Sequence, residues 1–157
     1  MSYARGTVVA PEKSRADIER AIRSIGATSF VQGYDADRAA IEFAAKGRRL
    51  RFAIKMIDRN RPPHEITHDK HGRLRSRSQV DALIDAEERR LWRALLLVIK
   101  AKIESVESGI ETFDQAFLAN IIVPGPDGVT TVGEYVSPAL ASAYERGARM
   151  PPLLGAG

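Results

Sequence analysis

The chain has 157 residues, 44% apolar and 28% charged, a balance that suits one globular domain with a real core and not a disordered chain. It contains no cysteine, which excludes disulfide staples, thiolate metal ligands and a cysteine nucleophile. The net charge is +4, but residues 46–77 alone carry +8, from eleven Lys or Arg against three acids, so the rest of the chain sums to −4. Such asymmetry points either to an anionic partner or to a solvated loop that keeps the protein in solution. The first ten residues hold no apolar core of signal-peptide length. The longest apolar run, 94–99, is bracketed by Arg93 and Lys100 and falls far short of the roughly eighteen residues a membrane span needs. The expected compartment is the cytoplasm, with no membrane partner.

Taken in chain order, residues 1–13 read as an irregular arm in which Val8 and Val9 add a short strand. Ser14, with Asp17 three residues later, reads as a helix N-cap. Ile18, Ala21, Ile22 and Ile25 follow at helical spacing and Gly26 ends the element, which predicts a helix over 15–25. Three strands are expected next. Residues 28–34 are rich in β-branched and aromatic types, and 35–37 make a turn. Ala39, Ile41, Phe43 and Ala45 share one face of the second strand, opposite Glu42 and Lys46. After a tight turn at 46–48, Leu50, Phe52, Ile54 and Met56 alternate with Arg49, Arg51, Ala53 and Lys55. This period of two places a core on one side of the sheet and three cations together on the other.

Residues 57–77 show no sustained periodicity and are punctuated by Pro62, Pro63 and Gly72. Loops of that length are uncommon unless functional or disordered, and this one is expected to be mobile in the free protein. Ser78 with Asp81 repeats the cap pattern, and an apolar stripe from Val80 to Val106 predicts a helix of about thirty residues, roughly 45 Å long, stopped by Gly109. Its projecting part needs a partner, either the C-terminal helices or another subunit of a homo-oligomer. Thr112 with Gln115 starts a further helix carrying Phe113, Ala116, Phe117 and Ile121. Asp127-Gly128 marks a hairpin, and Thr131 with Glu134 caps a last helix to about Gly147, with Pro138 inside it. The fold class is thus α+β, a single domain over 1–157: an N-terminal helix, a three-stranded antiparallel sheet, a long helix packed across it, and C-terminal helices with a short hairpin.

His64-Glu65-Ile66-Thr67-His68 is a literal HExxH. That spacing serves a zinc hydrolase when a helix puts both imidazoles on one face and the glutamate over a metal-bound water. Here Gly72 leaves barely two turns, no apolar stripe anchors such a helix, and His71 follows His68 too closely for the usual third ligand. The segment therefore reads first as a basic, His-containing loop, with a zinc hydrolase as the third reading of function. All three histidines sit in this one loop, which disfavours a nucleophile triad, and no phosphate-cradling glycine loop is present. No catalytic residue, metal or cofactor is assigned, and the chain reads as a binding protein more readily than as an enzyme. Trp92, the only tryptophan, reads as a core residue between the long helix and the sheet, while Tyr3 and Tyr34 are stacking candidates near the basic region.

The basic constellation is the remaining signal. Arg48, Arg49, Arg51, Lys55, Arg59, Arg73, Arg75 and Arg77 are the candidate nucleic-acid-binding residues. Arginine predominates, and its planar fork suits phosphate oxygens. Few aromatics are interleaved, so backbone binding is indicated over base stacking.

Several segments, SYARGTVVAPEKSRADIER, GATSF, WRALLLVIKAKIESVESGIETFDQAFLANIIVPG, TVGEY and MPPLL, resemble a family of uncharacterised proteins of similar length encoded in bacteriophage and prophage genomes. The resemblance covers nearly the whole chain and carries no catalytic signature. It implies a phage context, action in the cytoplasm of the bacterial host cell, and two classes of role: DNA handling in replication or recombination, which favours DNA over RNA as the partner, or binding and inhibition of a host defence protein in the manner of an anti-CRISPR. The order helix, three strands, long helix also looks like the topology of double-stranded-RNA-binding domains and, loosely, the core of phage single-strand annealing proteins. The basic cluster that opens the second helix in the RNA-binding domains is replaced here by an acidic stretch, Gln79–Glu88.

Overall fold

The computed structural model describes residues 4–147, and the elements follow the expected α+β order. Helix α1 spans Pro11–Ser24 and is followed by strands β1 (Ser29–Tyr34), β2 (Arg38–Ala45) and β3 (Arg48–Lys55). A four-residue helix, α2 (His64–Thr67), lies within the basic segment, and the long helix α3 occupies Arg77–Glu107. Helix α4 (Phe113–Phe117) passes through a 3-10 turn, Leu118–Asn120, into the hairpin of β4 (Ile122–Gly125) and β5 (Gly128–Thr131), and then α5 (Val132–Glu145). Tyr3 and the apolar tail 150–154 lie outside the described residues.

The sheet is antiparallel in the order β1-β2-β3. Its register follows from one turn. Lys46 and Gly47 both adopt positive φ, 51° and 73°, as the two central residues of a type I′ hairpin must. Ala45 therefore pairs with Arg48, and every later pair is set, including Glu42 with Arg51 and Arg38 with Lys55. The alternation in β2 and β3 then buries Ala39, Ile41, Phe43, Ala45, Leu50, Phe52 and Ile54 on one face. Helix α1 covers that face with Ile18 and Ile22, and α3 with Trp92, Leu96, Ile99 and Ile103. Phe117 of α4 closes the end of the core, edge-on to Phe52 at 6.3 Å between ring centroids. Each large apolar side chain withdrawn here from water contributes about 1.5–3 kcal/mol, so this one layer dominates the stability.

The helix ends show which local signals prevailed. Helix α1 begins at Pro11, whose missing N–H and fixed φ suit the first helical position, with Ala10 as a cap that makes no side-chain bond. Ser14, expected as the cap, instead lies inside the helix, fully buried, with its Oγ unpartnered. The arm thus ends at Ala10, and Val8 and Val9 form no strand. Helix α3 starts from Ser76, whose hydroxyl accepts from the Gln79 amide while the Gln79 side chain answers the Ser76 amide, two residues ahead of the expected Ser78–Asp81 pair. It ends as predicted at Gly109, where φ is 71° and the amides of Gly109 and Ile110 bond back to Val106 and Ser105. The expected caps Thr112–Gln115 and Thr131–Glu134 both form reciprocal boxes. Helix α4, however, stops at Phe117, and Ile121 bridges to Leu50 instead of extending the helix. That bridge ties the hairpin to the free edge of β3.

Candidate nucleic-acid interface

Because α1 and α3 both pack on the inner face of the sheet, the residues between the buried ones form an outer face. Read across the strands, its rows are Ser29–Ala44–Arg49, Val31–Glu42–Arg51, Gly33–Ala40–Ala53 and Arg38–Lys55. Small residues make a flat floor in the middle and cations stand along the β3 side. The first turn of α5 approaches this face: Glu134 joins Gly33, Ala40, Ala53, Arg38 and Arg51 around a depression of about 320 Å³. The Glu134 carboxyl lies below the usual glutamate range because it accepts from the Thr131 backbone amide and the Thr130 hydroxyl, with Arg51 adding a favourable charge.

Electrostatics divide the outer face in two. The Glu42 carboxylate accepts from Arg51 Nε at 2.7 Å and from Arg49 Nη2 at 3.2 Å, so one acid serves two guanidiniums. Arg38 and Lys55 are exposed, directly opposed in register, and form no ion pair among the described residues. Asp35 and Asp37 border a second depression, of about 510 Å³, together with these two cations, without an ion pair to either. Like charges placed opposite each other across strands work against stability, so this pair has no structural justification of its own.

The other candidate cations are placed elsewhere. Arg48 turns from the hairpin tip to Asp114 in α4 at 3.0 Å. Arg59 reaches across to α3, 2.5 Å from Asp85 and 3.4 Å from Glu88. Arg73 pairs with Asp69 at 3.0 Å, and Arg77, the first residue of α3, with Asp81 at 3.2 Å. Arg75 has a scaffolding geometry: its guanidinium donates to the backbone carbonyls of Glu65 (2.9 Å), Ile66 (3.0 Å) and His68. Five carboxylates from outside the basic segment, Glu42, Asp81, Asp85, Glu88 and Asp114, thus pair with its arginines, and its surplus of +8 drops to +3.

Segment 57–77 folds back on itself. His68 bridges to Leu74, the Arg75 amide bonds to Thr67 O, and the Asp69 carboxylate accepts the amides of His71 and Arg73. Those amides, with the Arg73 guanidinium, hold the Asp69 carboxyl below its ordinary range. The HExxH residues do not lie on one continuous helix. Helix α2 ends at Thr67, His68 is already extended, and the His64 and His68 rings stack nearly parallel, 4.1 Å apart. Among the described residues no group of three or more His, Asp or Glu is placed to hold a metal ion.

Trp92 is fully buried, as expected, with its Nε1 unpartnered, and the Arg15 guanidinium lies 5.2 Å from its ring. Tyr34 is largely exposed at the end of β1, 6.3 Å from Trp92. Sequence reasoning overlooked Arg38 and the neutralising role of Glu42. Both follow from the two-residue turn at 46–47, because that turn fixes which residues oppose each other. No helix among the described residues is long and apolar enough to cross a membrane. No family model, no curated protein and no solved structure matches this chain.

Proposed function

We propose that the protein binds nucleic-acid backbones without sequence specificity, through the outer face of its sheet, as a phage accessory protein in DNA replication or recombination. The observation that carries this reading is the opposed, unpaired Arg38 and Lys55, in line with Arg49 and Arg51 over a floor of glycine and alanine. A flat floor lets a phosphate backbone approach closely, and a displaced Glu42 frees two further guanidiniums for it. The strand rows of this face hold no aromatic residue, so affinity rests on counterion release and falls with salt. About four phosphate contacts predict a slope of about −3 to −4 in log K against log salt on duplex DNA. Charge reversal at Arg49 and Arg51 together is the direct test: binding should drop by at least an order of magnitude, and unchanged affinity rejects this face.

A second reading is an inhibitor of one host defence protein, acting by protein–protein contact. It is favoured by the number of arginines already matched to carboxylates, since a surface with both charges ordered in place suits a protein partner. A stable complex with a single host protein, free of nucleic acid, would select this reading over the first.

A further inference from the structure

The two edges of the sheet are treated differently. The β3 edge is blocked: Ile121 bridges to Leu50, the Asn120 side-chain amide donates to Arg51 O at 3.2 Å, and the strand is dense in Arg and Lys. Among the described residues the β1 edge has none of this. Ser29–Tyr34 contains no charged residue and no proline, and all but Phe30 are exposed. Natural sheets guard their edges with charges, prolines, bulges or covering elements, so an uncharged, open edge is a template for another strand.

The register says which groups point outward. The Asp35 amide donates to Arg38 O, so 35 and 38 form a hydrogen-bonded pair. Alternation along the strand then directs Val31 and Gly33 toward β2 and leaves the N–H and C=O groups of Phe30, Gln32 and Tyr34 facing out. We propose that this edge pairs with the β1 strand of a second copy, antiparallel, about a two-fold axis through Gln32.

The strand is complementary to itself in that register. Gln32 faces Gln32, Phe30 faces Tyr34 twice over, and the exposed Val31 lies over Gly33, where no side chain obstructs it. All six outward backbone groups of each strand are matched, and aromatic pairs across strands add to the contact. A two-fold axis perpendicular to the sheet brings a strand antiparallel to its own copy, which is the geometry the outward groups require. The product is a continuous six-stranded sheet with both outer faces on one side. That this would double the basic face is a consequence resting on the proposed function; the pairing itself does not depend on it.

Sedimentation equilibrium on the full chain, wild type against Gln32→Pro, is the first arm of the test. The Gln32 amide makes no bond within the sheet, so proline removes only an outward donor at the centre of the pairing. The expected result is a wild-type mass of twice the 17.3 kDa chain and a monomeric variant. Because proline also constrains the strand itself, a second arm uses the absence of native cysteine. Gln32→Cys should oxidise to a covalent dimer, while Ser29→Cys, far from its own copy in this register, should not. A wild type that stays monomeric across the concentration series overturns the proposal and leaves the edge to a strand from another protein. A dimer that survives Gln32→Pro, or equal cross-linking at positions 29 and 32, overturns it as well. Nucleic-acid binding by a monomer would refute the pairing alone, and a dimer that binds no nucleic acid would refute the proposed function alone.

Discussion

Glu42 stands directly opposite Arg51 and also reaches Arg49, so one carboxylate restrains the two central arginines of the open sheet face. If that face meets phosphates, Glu42 is a brake on affinity. Glu42→Gln should tighten binding to duplex DNA by about three- to tenfold at low salt and steepen the salt dependence. Stability should change by no more than about 1 kcal/mol, since both ion pairs are solvent-accessible. Anisotropy titrations alongside urea unfolding check both statements; affinity equal to wild type would mean that phosphates do not contact Arg49 or Arg51.

Ser14 separates two accounts of helix α1. As an N-cap its replacement by alanine would cost about 1 kcal/mol. Buried inside the helix with an unpartnered hydroxyl, it should tolerate Ser14→Ala with a change between neutral and about 1 kcal/mol stabilising. The shift of the denaturant midpoint at constant slope decides between them.

Arg75 is expected to hold segment 57–77 together, not to bind a ligand. Arg75→Ala removes three donations to the carbonyls of Glu65, Ile66 and His68. We expect about 1–2 kcal/mol less local stability, read as faster amide exchange at Arg73 and Arg75 and faster cleavage near Lys70. Arg75→Lys should not restore protection, because an ammonium does not reproduce the fork. Exchange rates unchanged in Arg75→Ala would remove the scaffolding role.

Acid should loosen the start of α5. The Glu134 carboxyl lies below its ordinary value of 4.5 in the folded protein, chiefly through the Thr131 amide. As the pH falls, the unfolded chain therefore takes up this proton first. The stabilisation is fully present above the ordinary carboxylate range and is lost as the pH drops through the lower, folded value. Glu134→Gln should be less stable than wild type near pH 7 by up to about 1 kcal/mol, with the gap closing in strong acid. A gap that persists at low pH would show that the charge is not its source.

Much of the fold was legible because its signals are local. The alternation in Leu50–Lys55, the glycine at 109 and the caps at Thr112 and Thr131 each act over a few residues. The misplaced starts have the same cause: at α1 a proline competed with a serine, and at α3 two serine-headed patterns overlapped, Ser76 with Gln79 and Ser78 with Asp81. An apolar residue after a helix looks the same in sequence whether it extends the helix or, as Ile121 does, bridges to Leu50. The site was less legible. Charge counting found the basic segment but could not show that Arg48 meets Asp114 or that Arg59 meets Asp85, since those partners lie far along the chain. The pairing of Arg38 with Lys55 was within reach, because a single hairpin turn specifies it.

Binding to single- and double-stranded DNA and RNA oligonucleotides, followed by fluorescence anisotropy across a salt series, tests the central claim most directly. The account predicts binding at low salt that is tolerant of sequence, favours DNA, and weakens steeply as salt rises, with the Arg49 and Arg51 charge reversal abolishing most of it. Absence of binding at low salt to every one of these ligands would contradict it.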